Sequence, residues 1–470
     1  MNRVPDAFLL SFPTKTPIVV AYLLHICYNM IKARSHHRRK GSPALNTSFI
    51  LKGNICHTPA PDRLETLAQG FAVCEGGVCR GVFDAVPERF AGLEVVDCGD
   101  RLILPGLVDL HTHAPQYAFC GTGMDYELME WLNQVAFPEE TRYADAAYAE
   151  RAYGIFARKL KEGATTRAVI FGTMHADATL TLMDLMERSG LVTLVGKVNM
   201  DRDAPADLME PSPEQAAADT RRFIEACLRR GYRRTGPIVT PRFVPSCTDA
   251  LMERLGAIRR AYDLPVQSHL SENPGEVELV RKLAPEAAFY GDAYDRFGLF
   301  GRDSRTVMAH CVYSTDAEVQ RMRDNGVWVA HCPSSNMNIA SGIAPVRRYM
   351  EAGLRMGLGT DVAGGSSISM FRAVTDCIQV SKMYWRYVDR DARPLTFPEA
   401  LYLATKGGGS FFGSVGSFED GFAFDAVVLD DSAEPRARDL SVAERLERAF
   451  YWELDRSGIV MKFVDGIRVI

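Results

Sequence analysis

The spacing of apolar and polar positions changes character twice along the chain. Early on, the short stretches 48–51, 70–74 and 93–97 stand between turn-forming Gly, Pro and Asp residues, which predicts short antiparallel strands. From Leu102 onward, short apolar runs alternate with longer stretches of helical, amphipathic periodicity. The runs fall at 102–110, 165–171, 191–198, 237–242, 265–269, 306–311, 327–332 and 354–360. Eight strands separated by helical material over roughly 290 residues is the size of a (β/α)8 TIM barrel with insertions. After Gly421, the stretches 422–430 and 459–469 return to a strand pattern. The expected fold is α/β: a TIM barrel over residues 105–399 and a small β-sandwich domain that both ends of the chain build, from 45–104 and 400–470.

The first 44 residues stand apart from this pattern. The apolar run 18–31 is interrupted by His25 and Asn29 and followed by Lys32, Arg34, Arg38, Arg39 and Lys40. It is too short to cross a bilayer comfortably. Its charge mostly follows the apolar run, and no small-residue cleavage site is evident, the reverse of a secretory signal. Residues 1–44 therefore read as a leader dispensable to the fold, with Met30 as a second candidate start and membrane or organelle targeting as the alternative. Composition adds three exclusions. The chain has 470 residues, 47% hydrophobic and 24% charged, so globular order rather than disorder is expected. A net charge of -5 lacks the basic stripe of a nucleic-acid binder and suits a small polar substrate. Eleven cysteines, an odd number without paired spacing, argue against a disulfide framework and for a reducing cytoplasm. No membrane partner is expected.

Candidate chemistry gathers at the strand ends. His111 and His113 directly follow the first barrel strand, and side chains two apart on a strand share a face, so both imidazoles can address one ion. His269 ends the fifth run, His310 the sixth and Asp361 follows the eighth. The C-terminal ends of the strands are where such barrels place their sites. Imidazoles with one carboxylate and an open position suit a catalytic zinc or ferrous iron, whereas a structural zinc is closed by four protein ligands. Glu272 lies three residues after His269, at the start of a helical stretch. It either complements the helix dipole or moves protons beside an activated water. His175 follows the second strand, where a pocket role and a satisfied polar residue are both open, and His331 ends the seventh, where support for the barrel mouth is the main reading. His25, His36, His37 and His57 lie outside the barrel. Cys120 and Cys311 lack an activating base nearby and read as packing residues.

Several segments are far narrower signals than these. The stretch 104–119 with His113-Ala114-Pro115-Gln116-Tyr117, the run Thr240-Pro241-Arg242-Phe243, Ser268-His269-Leu270-Ser271-Glu272-Asn273, His331-Cys332-Pro333-Ser334-Ser335-Asn336 and the stretch 359–365 around Thr360-Asp361 resemble the guanine deaminases of the amidohydrolase superfamily. Glu130-Trp131-Leu132 and Phe137-Pro138-Glu139 share the likeness, which extends over nearly everything from Ser48 onward. The resemblance implies one zinc per chain held by His111, His113, His269 and Asp361, with ferrous iron accepted by the same donors. It places His310 near metal and substrate, and gives Gln116, Arg242 and Phe243 the purine. Residues 237–245 contain no lysine to bridge two metals, which favours a single ion. The implied substrates are guanine and water, the products xanthine and ammonia, and the implied assembly a homodimer.

Side-chain chemistry agrees: Gln116 brings an amide, Arg242 a planar fork of donors and Phe243 a ring face for stacking. Each also has a plainer role, as turn residue, salt-bridge partner and core residue respectively. The expected mechanism has Glu272 and Asp361 generating and orienting a hydroxide that attacks C2, Glu272 passing the proton to the adjacent ring nitrogen, and His310 stabilising the tetrahedral intermediate. The alternatives are an amidohydrolase acting on another purine, a pterin or a triazine, and an inactive scaffold. The scaffold reading is disfavoured because every candidate ligand and Glu272 is present.

Overall fold

Strand-forming residues from both ends of the chain meet in one sheet, and the barrel lies between them. The computed structural model describes residues 47–435 and 438–470. The leader expected over residues 1–44 lies outside the described residues. The chain opens with β1 (Phe49–Ala60), β2 (Arg63–Glu75), β3 (Val78–Phe83) and β4 (Glu94–Pro105). The barrel follows with β5 (Leu107–His113), β6 (Thr165–Phe171), β7 (Val192–Gly196), the short extension β8 (Val198–Asn199), β9 (Thr235–Pro237), β10 (Thr240–Pro241), β11 (Val266–Leu270), β12 (Thr306–His310), β13 (Trp328–His331) and β14 (Arg355–Leu358). It ends with β15 (Ala426–Leu429), β16 (Ile459–Val464) and β17 (Ile467–Arg468).

The β domain has a single seven-stranded sheet in the order β17-β16-β15-β4-β1-β2-β3, so the two terminal segments join where β15 pairs antiparallel with β4. All seven strands are bonded side by side, and alternation gives the sheet two apolar faces. Leu102, Leu104, Val427 and Leu429 belong to the main core shared with the barrel helices. Ile103, Ala426 and Val428 pack on the other face with Phe49, Phe424 and Phe463. Arg167 on β6 ties the domain to the barrel, donating to both carboxylate oxygens of Asp425 at 2.7 and 3.2 Å.

Strand β4 runs into β5 through Gly106, where any Cβ would come within 2.2 Å of the Thr166 side chain. Around the barrel, β5-β6-β7-β9 and β11-β12-β13-β14 form two parallel four-stranded segments. The fourth strand position is broken between β9 and β10, in a stretch that carries Pro237 and Pro241, residues with no N–H to give to a ladder. Val239 spans the gap, donating to Pro265 O and accepting from Gln267 N, both at 3.0 Å. The ring closes between the eighth and first positions, where Asp361 N donates to His111 O at 2.8 Å and His113 N to Val362 O at 3.0 Å.

The register of β5 against β6 shifts between Asp109 and Thr112, placing one extra residue on β5. Such a bulge reverses which residues face inward. Below it, Val108 and Leu110 fill the barrel interior with Val169, Ile238, Val307 and Ala309. Above it, His111 and His113 take over the inward direction and meet Phe171. Asp109, fully buried, fixes this geometry: its carboxylate accepts from His111 N at 3.2 Å, Thr360 N at 3.1 Å and Thr360 Oγ1 at 2.6 Å. Burial pushes the Asp109 carboxyl up to about 6, against the pull of these hydrogen bonds. Among the described residues no helix is long and apolar enough to cross a membrane.

Replacing Asp109 by alanine leaves three buried donors without an acceptor at the seam of the barrel. Asp109→Ala is expected to lose about 2–4 kcal/mol of stability in urea unfolding of the full chain. An unchanged midpoint would show that the seam does not depend on this carboxylate.

Candidate active site

At the mouth of the barrel, the imidazoles of β5 and β11 point at one another. His113 Nε2 lies 3.2 Å from His111 Nε2 and 3.2 Å from His269 Nε2. Asp361 Oδ1 lies 3.1 Å from His111 Nε2 and 3.4 Å from His113 Nε2. His269 Nδ1 donates to the carbonyl of Arg242 at 2.6 Å, so its proton sits on that nitrogen and its Nε2 lone pair faces the cluster. All these groups are buried. Zinc–nitrogen bonds of about 2.0–2.1 Å in a tetrahedral array put neighbouring ligand atoms roughly 3.3–3.4 Å apart. The four distances within the cluster match that spacing, with His111, His113 and His269 close to one another and Asp361 beside His111 and His113, and the donor set fits a divalent cation.

The electrostatics point the same way. Burial holds His113 and His269 well below the ordinary imidazole value, and the neighbouring His111 adds to it. Burial alone would push Asp361 up, but His111, His310 and His113 outweigh it and hold the carboxyl well below the usual carboxylate range. His113 and His269 are thus disposed to stay neutral, with lone pairs free for a cation, the state a metal ion requires of an imidazole.

His310 stands at the edge of the cluster with φ +72°, a strained conformation for a non-glycine residue. Its Nδ1 is 2.9 Å from Asn336 Oδ1, which leaves Nε2 facing Glu272 Oε2 at 3.4 Å and Asp361 Oδ2 at 3.6 Å. That Nε2 has no hydrogen-bond partner although it is buried. His310, His111, Asp361 and Cys332 form a second close group that overlaps the first. Glu272 is held from both sides: its N donates to Glu276 Oε2 at 2.9 Å and its Oε1 accepts from Ser341 Oγ at 3.2 Å. Burial, then the charges of Glu276 and Asp361, push the Glu272 carboxyl well above its ordinary value.

Next to this cluster opens a pocket. Its polar wall holds Gln116, Arg242, Glu272 and Asp361, and its apolar wall Phe243, Ile339 and the segment Leu128, Trp131 and Leu132 that folds over from the insertion after β5. Gln116 Oε1 accepts from Ala363 N at 3.0 Å. Gly364 also lines the pocket, where a Cβ would come within 2.5 Å of Ser335 Oγ.

The structure thus brings every candidate residue to one place: His111 in the buried cluster, and His113, Gln116, Arg242, Phe243, His269, Glu272, His310 and Asp361 on the pocket wall as well. Arg242 combines its two possible roles, lining the pocket while paired with Glu140. Phe243 does likewise, packed in an apolar cluster while one side faces the cavity. His331 is buried behind His310, and burial followed by that neighbour lowers it to about 3. His175 and Cys120 do not line the pocket. Cys311 is a buried thiol whose pKa burial drives well above its ordinary value. Sequence reasoning missed Cys332 beside the cluster and Glu140 behind the pocket. For Glu140 a signal existed: an arginine destined for burial needs a carboxylate.

Comparison with known proteins places the chain. Residues 102–466 match the amidohydrolase family. Guanine deaminase of Mus musculus is 38% identical over 381 residues, covering 79% of this chain and 83% of that protein. Guanine deaminase of Escherichia coli K12 is 32% identical over 383 residues, covering 80% and 84%. The crystal structure of guanine deaminase from C. acetobutylicum with bound guanine in its active site superposes with a TM-score of 0.87 at 41% identity, covering 90% of this chain and all of that one. The chain therefore belongs to the amidohydrolase family and, within it, to the guanine deaminases.

Proposed function

We propose that the pocket deaminates guanine to xanthine and ammonia with one zinc ion per chain held by His111, His113, His269 and Asp361. The observation that carries the division of labour is the position of Glu272, a buried carboxyl on the same wall as the cluster, 3.4 Å from His310 Nε2. A divalent ion in the cluster supplies the Lewis acidity that makes water a nucleophile near neutral pH.

The chain's own residues do the rest. Gln116 and Arg242 present N–H groups to the carbonyl edge of the purine, and Phe243 offers a ring face. Leu128, Trp131 and Leu132 cover the pocket and limit access of bulk water. Glu272 takes a proton from water as oxygen adds to C2 and delivers it to the adjacent ring nitrogen. Its raised proton affinity suits a group that must hold that proton between two steps. The proton of the newly formed C2 hydroxyl then passes through Glu272 to the exocyclic amine, the C2–N bond breaks as the C2 carbonyl forms, and ammonia leaves. Asp361, held ionised, orients the attacking oxygen, and His310 stabilises charge on the tetrahedral intermediate.

The unpaired state of all ten described cysteines supports a reducing compartment, the cytoplasm. The assembly expected from the family likeness is a homodimer.

Glu272→Gln removes the proton carrier while keeping the shape of the site. Its kcat on guanine should fall by about 10²–10⁴-fold, followed by the ultraviolet change from guanine to xanthine, with bound metal unchanged. A metal-loaded variant with full turnover would remove Glu272 from this role. The competing substrates separate in a panel read by ammonia release: guanine should be the preferred ring, and a clear preference for a pterin or triazine would contradict the assignment.

A further inference from the structure

Gln116 and Arg242 meet on one carboxylate that does not itself line the pocket. Glu140, only 2% exposed, accepts from Gln116 Nε2 at 2.8 Å and Arg242 Nη2 at 3.1 Å through Oε1, and from Arg242 Nη1 at 2.7 Å through Oε2. The short helix Phe137–Glu140 carries it. The same segment braces both partners: the Arg242 guanidinium lies 4.9 Å from the centre of the Phe137 ring, and Tyr143 Oη donates to Pro115 O at 2.8 Å, one residue before Gln116.

This arrangement fixes which atoms of Gln116 face which neighbour. An ionised carboxylate only accepts and a backbone N–H only donates. With Oε1 on Ala363 N and Nε2 on Glu140, both contacts are satisfied; with the amide turned over, both become repulsive. The amide nitrogen keeps one further N–H, and Arg242 has N–H groups beyond the two that Glu140 takes. The donors left over from these two residues are what the pocket can offer on this side. Glu140 also balances the Arg242 charge, which would otherwise be buried without a partner.

We infer that Glu140 is the positioning residue that makes the pocket select a 6-oxo purine over a 6-amino purine. It locks Gln116 and Arg242 as donors, so they accept a carbonyl oxygen and reject an amino group that brings donors of its own. This rests on the proposal above that the carbonyl edge of guanine meets Gln116 and Arg242. A 6-amino ring would leave buried polar groups unmatched, the situation that discriminates most strongly between analogues.

The test compares guanine with 2,6-diaminopurine, which carries the same reacting 2-amino group and differs at position 6 and in the proton on the adjoining N1. In Glu140→Gln the lock is released and Gln116 is free to turn. KM for guanine should rise on the order of 10- to 100-fold with a smaller change in kcat. The kcat/KM ratio of guanine to 2,6-diaminopurine should narrow at least about tenfold. Glu140→Asp, which keeps the charge on a shorter arm, should narrow the ratio less, and it carries the test if Glu140→Gln does not fold. Metal content should match the wild type in both. Equal losses on the two substrates, which leave the ratio unchanged, would reduce Glu140 to a structural role and overturn the inference. A wild-type chain that leaves guanine untouched would instead strike at the functional reading beneath it.

Discussion

Closure of the barrel between its first and eighth strand positions is the constraint on which the site depends. The two backbone hydrogen bonds that close the ring involve His111, His113, Asp361 and Val362, so the residues that seal the barrel are also those that face the cluster. Asp109 reinforces the same seam by joining His111 N to Thr360. The bulge in β5 then turns two successive odd-numbered side chains toward the axis at the height where β11 delivers His269. An imidazole cluster of this kind cannot be assembled by either strand alone; it exists because the ring is closed.

That closure has an electrostatic consequence. Buried imidazole nitrogens about one ligand spacing apart, beside an ionised carboxylate, are unfavourable unless a cation sits among them. The surroundings keep the lone pairs available: the Arg242 carbonyl takes the outer proton of His269. Arg242 therefore serves the cluster through its backbone and the pocket through its side chain. One residue thus touches both the imidazole cluster and the pocket, and Glu140 pairs with its guanidinium.

Much of this was legible in the chain. Each apolar run from Leu102 to Thr360 corresponds to a barrel strand position, because parallel strands covered on both faces need unbroken apolar stretches, which stand out between amphipathic helices. The candidate residues were readable for a related reason: they follow directly on those runs. Other features depended on pairing partners that spacing does not reveal. The bulge between Asp109 and Thr112 appears only against β6, and the single sheet of the β domain only once β15 finds β4. Glu140 was hidden most deeply. It lies 24 positions from Gln116 and 102 from Arg242, on a segment whose purpose shows only when it folds over the mouth.

The most direct test of this account is X-ray absorption at the edge of the metal bound to the purified full chain. The account predicts a nitrogen- and oxygen-rich shell at about 2.0–2.2 Å, with imidazole scattering and no sulfur. A sulfur at about 2.3 Å, which would bring in Cys332, or a folded, active chain with no metal at all, would contradict it.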